Sequence, residues 1–545
     1  MKLVSVSEMR AIEEDADSHG LTYLTMMENA GYNLSREILQ LSYAKDDEED
    51  IQVLGLVGPG NNGGDTLVAL AHLAEKGWKA RGYLVKRKAG GDPLVKRLEE
   101  ADGEIYLAEK DIDFLQLATF IETADVIMDG VLGTGFKLPL KADIAKVLGA
   151  ARSSIEALEW PPLVVAVDCP SGVDCDNGTI AEVCIPADAT ITMAAVKQGL
   201  LKLPAYEIIG ELRVVEIGSL EKLKSWQVVK NEVSDETLAR SLLPARPLDA
   251  HKGTFGTALI AAGSVNYTGA ALLSGKAAYR IGAGLVTLAI ASPLHTTLAG
   301  QLAEATWVLL PHEMGVIASG AADVLMANLD QVTALLIGPG LGLEDTTKEF
   351  ISTLFYGTMA KPTHGRMGFV QSAAGKVTGS KTTVLPSLVV DADGLKLLTK
   401  IPDWPKLLPD LTILTPHPGE MSIMTGHSID EIQQDRLVFA RKYAKEWGHI
   451  VVLKGAFTVI ADPDGRTTTI PVATPALARA GTGDVLAGII VGLRAQGLGA
   501  YNAARLGAWV HAQAGLIAAQ IQGNANAVMA GDILDAISDV LVSLT

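Results

Sequence analysis

Cysteine is nearly absent, with Cys169, Cys175 and Cys184 the only three in 545 residues. Three thiols cannot build a disulfide framework for a chain of this length, so a reducing compartment, the cytoplasm, is expected. Basic residues are also in deficit, 45 Lys+Arg against 63 Asp+Glu for a formal net charge of −18. That field repels phosphate backbones and anionic bilayers, which argues against nucleic acid or membrane as the main partner. Any anionic ligand must then be held locally. No run reaches about 18 consecutive apolar residues, and the opening MKLVSVSEMRAIEEDADSHG carries acids where a signal peptide needs an apolar stretch. Neither a membrane span nor an export signal is expected. Aromatics make up 5% of the chain, against 55 glycines. This balance favours tight turns and close backbone approaches over aromatic stacking surfaces, and so points to phosphate or dinucleotide loops.

Apolar material is ample, at 48% hydrophobic and 20% charged residues. At roughly 100–200 residues per domain, the length implies at least two domains. From about residue 50, short β-branched runs alternate with amphipathic stretches, the pattern of a parallel α/β sheet. IQVLGLVG, ARGYLVK, ADVIMDG, PLVVAVD and ATITMAA read as strands. After GELRVVEIG the text becomes charged and polar, which places a boundary near residue 225 and divides the chain into 1–224 and 225–545. GTALIAAG, GLVTLAI, ALLIGPG, SLVVDAD, LTILTPH and HIVVLKG then form a second α/β series with an Ala/Gly-rich helical close. The acidic stretch 44–50 reads as a solvated loop and the basic stretch 359–381 as a surface insertion.

In the first half, GPGNNGGD at 58–65 leaves a strand and enters a helix, and Gly58, Gly60 and Gly63 satisfy G-x-G-x-x-G in the required context. Two features depart from a plain dinucleotide fold. Asn61 and Asn62 put amides in the loop, and the second strand runs into Lys86, Arg87 and Lys88 in place of an acidic ribose ligand. Two more strands end at Asp129 and Asp168, and ligands of open α/β sheets bind at the carboxyl ends of strands. Asp129, Asn62 and Ser171 offer a hard oxygen set suited to an alkali or alkaline-earth cation. Asp168 suits proton transfer or a ribose hydroxyl, and Cys169 and Cys175 read as packing residues.

GPGNNGGD, DGVLGTGF, VDCPSGVD and AAVKQGL, in this order, resemble the YjeF N-terminal family, the NAD(P)H-hydrate epimerases. The resemblance implies a Rossmann-like three-layer domain that interconverts the R and S epimers at the hydrated nicotinamide carbon. It implies that Asn61, Asn62, Gly63, Gly64, Asp65, Gly133, Thr134, Gly135, Phe136, Lys137, Leu138, Pro139 and Asp168 contact the hydrated dinucleotide. It further implies potassium on Asn62, Asp129 and Ser171, with Asp168 the candidate acid–base group.

In the second half, ARAGTGDVLAG at 478–488 joins a glycine turn to a helix. Backbone N–H groups of Gly481, Thr482 and Gly483 can hold a transferring phosphoryl group at the positive end of the helix dipole. Asp484 is then placed to take a hydroxyl proton as the oxygen attacks phosphorus. HKGTFG, IGPGLG, TPHPGEM and LKGAFT add turns at strand ends, with Lys252, His417, Glu420 and Lys454 among their residues.

Together with GAGLVT and DADGL, these motifs resemble the ADP/ATP-dependent NAD(P)H-hydrate dehydratases, a branch of the ribokinase-like superfamily, across about residues 230–545. The resemblance implies a ribokinase-like α/β domain in which Ala271, Gly340, His417 and Asp484 contact the hydrate. Lys454, Gly455, Ala456, Phe457 and Thr458, with Gly481, Thr482 and Gly483, would bind ADP with magnesium. The whole then reads as a bifunctional repair enzyme acting on the hydrates of NADH and NADPH, and a homo-oligomer is expected. Two rivals stay open at this point: a ribokinase-like small-molecule kinase with a nucleotide-binding scaffold in front, and a binding module without epimer exchange.

Overall fold

The computed structural model describes residues 1–42, 51–357 and 385–545. The stretches 44–50 and 359–381 lie outside the described residues. Two compact units emerge, Met1–Val233 and Ser234–Thr545. The division falls a few residues beyond the composition break near 225, because Leu220, Leu223 and Val229 are buried in the core of the first unit.

The first unit is built on β1 (Gln52–Val57), β2 (Lys79–Leu84), β3 (Glu104–Leu107), β4 (Val126–Gly130), β5 (Leu163–Val167), β6 (Ala189–Met193) and β7 (Glu211–Val215). They run parallel in the order β3-β2-β1-β4-β5-β6-β7. Buried runs such as VLGLV and VIMDG suit strands covered on both faces. Helices α1 (Val6–Ser18), α2 (Tyr23–Ser42) and α3 (Asn61–Glu75) supply part of that cover. A capping box starts α1: Glu8 N–H donates to Ser5 Oγ at 3.1 Å, and Ser5 N–H donates to Glu8 Oε2 at 2.7 Å. A short parallel pairing of Leu3–Val4 with Val196–Lys197 ties this N-terminal segment to the region after β6. The chain reverses its direction of travel across the sheet between β1 and β4, which is where a doubly wound sheet opens its crevice.

The second unit contains β8 (Thr257–Ala261), β9 (Leu285–Ala291), β10 (Thr306–Leu310), β11 (Ala334–Ile337), β12 (Ser387–Val390), β13 (Ile413–Leu414), β14 (Ile450–Leu453), β15 (Val459–Ala461) and β16 (Thr467–Thr469). Their order is β16-β15-β14-β13-β12-β11-β8-β9-β10. All neighbours are parallel except the β14-β15 and β15-β16 pairs. The functional helices are α4 (Thr268–Arg280), α5 (Pro418–Thr425), α6 (Thr482–Ala495) and α7 (Ala500–Gln522). Here the crevice position lies between β8 and β11. No helix among the described residues is long and apolar enough to cross a membrane.

Candidate active sites

After β1 the chain turns through residues 58–60 into α3, and the turn leaves no room for side chains. A Cβ on Gly58 would meet the Val131 carbonyl oxygen at 1.8 Å, and one on Gly63 the Gly58 carbonyl oxygen at 2.1 Å. Arg87 braces the turn, donating from Nη1 to the Gly58 and Gly60 carbonyls at 3.2 and 3.1 Å while its Nε pairs with Asp92 at 2.7 Å. The basic end of the second strand therefore shapes the loop. Gly60 gives α3 no side-chain cap, so its first-turn N–H groups are available to an anion.

A cleft of about 750 Å³ opens beside α3. Asn61, Asn62 and Asp65 line it, as do Gly133, Thr134, Gly135, Phe136, Lys137 and Pro139, together with Asp168. Gly63, Gly64 and Leu138 are not among its lining residues; Gly63 and Gly64 are buried against Gly58 and Met27. Among the lining residues that had been given no site role by motif are Arg10 and Glu13 from α1, and Lys197.

Asp168 sits at φ 63°, a costly backbone region for a residue with a Cβ. Its Oδ1 accepts from Thr192 Oγ1 at 3.0 Å, from Met193 N–H at 3.1 Å and from the Lys197 ammonium. Lys197 is only 1% exposed and also donates to Thr192 Oγ1 and the Met193 carbonyl, both at 2.9 Å. Three donors on one oxygen, one of them a buried ammonium, fix the carboxylate in place. Asp65 has a different environment. Burial holds its carboxyl well above the usual range, Asp168 and Glu13 push it further up, and Lys197 partly offsets them. Burial also raises Glu13, against the pull of Lys197.

The oxygen set expected to hold a cation comes together beside this cleft. Ser171 donates from Oγ to Asp129 Oδ1 at 2.6 Å and from its N–H to Asp129 Oδ2 at 2.7 Å, with Asp129 fully buried. Asn62 Nδ2 donates to the Leu132 carbonyl at 2.8 Å, whereas its Oδ1 is buried without a hydrogen-bond partner. An orphaned amide oxygen costs about 1–3 kcal/mol unless something electropositive meets it.

In the second unit, Gly340 at φ 63° lies where two loops cross at the crevice. A Cβ there would come within 2.8 Å of both Tyr267 and Ala270 Cβ atoms, and Gly263 N–H donates to the Pro339 carbonyl at 2.8 Å. Ala271, in α4, is fully buried and packs under Gly263, so its side chain supports the crossing and does not face the crevice.

Along the remaining strand ends a charged cluster forms. Lys454, after β14, donates from Nζ to Asp391 Oδ1 at 2.6 Å and lies 3.6 Å from Glu420 Oε2. Thr415 also donates to Asp391 Oδ1 at 2.6 Å. Burial pulls the Lys454 ammonium down, but Asp391 and Glu420 outweigh it and its pKa is raised overall. Gly481 turns the chain at φ 90° into α6, whose first turn carries Asp484. A Cβ on Gly483 would lie 3.6 Å from Lys454 Nζ, so the cation stands over the glycine turn. Burial first, and then the Asp391 charge, push the Asp484 carboxyl up to about 7, with Lys454 opposing.

His417 caps α5, its Nδ1 accepting from the Gly419 and Glu420 N–H groups at 3.0 and 3.4 Å. Glu420 answers by accepting from His417 N–H at 2.9 Å. Burial lowers the His417 pKa, and half of the side chain stays exposed. Of the remaining expected residues, Gly455 and Ala456 are exposed, Phe457 is buried, and Thr458 Oγ1 donates to the Gly455 carbonyl at 2.8 Å to close the turn. Thr482 Oγ1 locks the glycine turn by donating to the Leu477 and Arg479 carbonyls at 2.9 Å. Asp391 and Glu420 lay within quoted motifs without a site role. The DAD and PGE sequences at strand ends carried that signal.

Known proteins match both halves. The family model described as YjeF-related protein N-terminus matches residues 24–199, and the one described as NAD(P)H-hydrate dehydratase matches residues 258–539. A bifunctional NAD(P)H-hydrate repair enzyme of Moorella thermoacetica is 36% identical over 100% of this chain and 97% of its own length. One from Thermofilum pendens is 34% identical over 96% of this chain and 93% of its length. Among solved structures, an ADP/ATP-dependent NAD(P)H-hydrate dehydratase from Bacillus subtilis, co-crystallised with ATP and Mg2+, is 28% identical with a TM-score of 0.46. That match covers 58% of this chain and 99% of the other.

Proposed function

Since the chain belongs to the bifunctional NAD(P)H-hydrate repair enzymes, an epimerase joined to a dehydratase, we propose how its residues divide that work. The first unit interconverts the R and S hydrates in the cleft beside α3. The second removes water from the S hydrate at the expense of ADP, releasing AMP and phosphate. Joining the two has a chemical logic, because a site shaped for one epimer would let the other accumulate.

The observation that carries the dehydratase reading is the Asp484 carboxyl, largely buried in the first turn of α6 and pushed up to about 7 beside Lys454. A base of that strength suits proton transfer near neutral pH. Asp484 takes the proton of the hydrate's hydroxyl, and the oxygen attacks the terminal phosphoryl group of ADP. N–H groups of Gly481, Thr482 and Gly483 receive the equatorial phosphoryl oxygens. Lys454 supplies a fixed positive charge beside them, held in place by Asp391 and Glu420. Phosphate then leaves from carbon and takes up the proton lost from the neighbouring C–H, which restores the dihydronicotinamide. His417 and Gly340 border the hydrate, and the turn 455–458 borders the nucleotide. Magnesium, carried on the phosphates, supplies further charge neutralisation; the carboxylates of Asp391 and Glu420 are of the type it accepts.

In the epimerase half, the orphaned Asn62 Oδ1, the buried Asp129 carboxylate and Ser171 Oγ fit a potassium ion, whose ligands are hard oxygens. When bound there, potassium supplies positive charge near the α3 N-terminus, where phosphates of the hydrate are drawn. Asp168, fixed by Lys197, serves as an acid–base group. We place the enzyme in the cytoplasm as a homo-oligomer. The test is incubation of the purified chain with mixed R and S hydrate of NADH, with and without Mg·ADP, following regenerated NADH. Nucleotide-dependent recovery of the whole hydrate pool is expected. Recovery of the S fraction alone contradicts the epimerase half, and no recovery contradicts the dehydratase half.

A further inference from the structure

Two carboxyls border the epimerase cleft in contrasting surroundings. Asp168 is met by three donors, among them Lys197. Asp65 is 9% exposed and accepts no side-chain hydrogen bond from any described residue, although it lines the same cleft. The charged groups that face it are Asp168 and Glu13, which disfavour its ionisation, and Lys197, which favours it. From α2, packed on α3, Tyr23, Met26, Met27 and Ala30 line the cleft, and Tyr23 is the one titratable group among them. A carboxyl without donors and beside two other carboxyls ionises less readily than an ordinary aspartate.

Asp65 lies in the second turn of α3 and Asp168 directly after β5, and both residues line the one cleft.

Resting on the epimerase reading of this site, we propose that Asp65 and Asp168 form a two-carboxyl pair sharing one proton, with Asp65 the acid for one epimer and Asp168 the base toward the other. Asp65 O–H gives its proton to the hydroxyl on the hydrated carbon. The C–O bond breaks as the ring-nitrogen lone pair forms a C=N bond, and water departs. A water molecule then adds to the opposite face of that carbon, the electron pair returns to nitrogen, and Asp168 takes the released proton. Nothing is oxidised or reduced. The pair ends with Asp65 ionised and Asp168 protonated, and the reverse reaction or solvent exchange resets it. Glu13 takes no part in the transfer; its carboxyl disfavours the ionisation of Asp65, which makes it a positioning residue in the electrostatic sense.

The test is the pH dependence of epimer exchange by the full-length protein without nucleotide, measured as the R-to-S ratio by chromatography and corrected for spontaneous exchange. The wild type is expected to lose kcat/KM as pH rises through the ionisation of Asp65. Asp65→Asn should lower the rate by about 10²–10³-fold and remove that alkaline limb. Glu13→Gln removes a negative neighbour, so the limb should move to lower pH; a purely structural loss would lower the rate without moving it. Asp65→Asn exchange within about threefold of wild type, or an alkaline limb unchanged in both variants, overturns the proposal. A wild type that does not exchange the epimers at all contradicts the epimerase reading instead, and the two failures are thereby told apart.

Discussion

Replacing Asp484 with Asn makes opposite demands on activity and stability. The carboxyl stands at about 7 in the folded chain against the usual aspartate value of 3.8. The folded state therefore binds more protons than the unfolded state between those values, and stability is lost as pH rises from about 4 to 7. At 1.36 kcal/mol per unit, a shift of about three units sets an upper bound of about 4 kcal/mol on the penalty above pH 7. Partial exposure of the carboxyl reduces this to roughly 2–4 kcal/mol. Asparagine is near-isosteric and carries no such penalty. Asp484→Asn should thus be more stable than wild type by about 1 kcal/mol at pH 5 and by about 2–4 kcal/mol at pH 8. In calorimetry this appears as a rise of several degrees in one thermal transition at pH 8, shrinking towards acid pH. Loss of the base should also abolish ADP-dependent dehydration while epimer exchange persists. A variant less stable than wild type at pH 8, or one whose advantage does not grow with pH, would refute the electrostatic account of this site. Loss of both activities would refute the separation of the two sites.

Further outcomes follow from the same geometry. Lys454→Met removes the charge that lowers the Asp484 pKa, so the acid limb of the dehydration rate should move to higher pH and KM for ADP should rise; a pH–rate profile checks both. Gly63→Ala drives a methyl to within 2.1 Å of the Gly58 carbonyl oxygen, and thermal unfolding should register a loss of about 1–3 kcal/mol. Asn62→Leu removes the orphaned oxygen, so epimer exchange should lose its response to potassium, read as the rate in KCl against the rate in LiCl. A wild type indifferent to the cation contradicts the proposed potassium site.

Strand ends and glycine turns were legible in the sequence because they are local. GPGNNGGD and VIMDG each join a buried strand to a turn within a few residues at the C-terminal edge of a sheet, and GTGD opens a helix with a buried face. Lys197 was not assigned a role although AAVKQGL contains it. Its partner Asp168 lies 29 residues away, and a pairing of Val196–Lys197 with Leu3–Val4 helps fix its place. Glu13 reads as one more acid on a helix until the fold turns that face towards the cleft. The Lys454–Asp391 pair spans 63 residues and two strand connections. Strand β16 escaped notice because Thr467–Thr469 carries no apolar alternation; its threonines are buried, with Thr468 Oγ1 2.9 Å from the Tyr501 hydroxyl. Net charge was informative only about polymers. Anionic dinucleotides meet glycine turns and helix N-termini locally, whatever the overall −18.

The account rests on two active sites acting in sequence on one pool of damaged cofactor. Its most direct test is to supply the full-length protein with the pure R hydrate of NADH and Mg·ADP and to follow NADH. Complete conversion, faster than spontaneous epimer exchange and strictly dependent on nucleotide, is the predicted result. Conversion that proceeds only at the spontaneous exchange rate, or that needs no nucleotide, would contradict it.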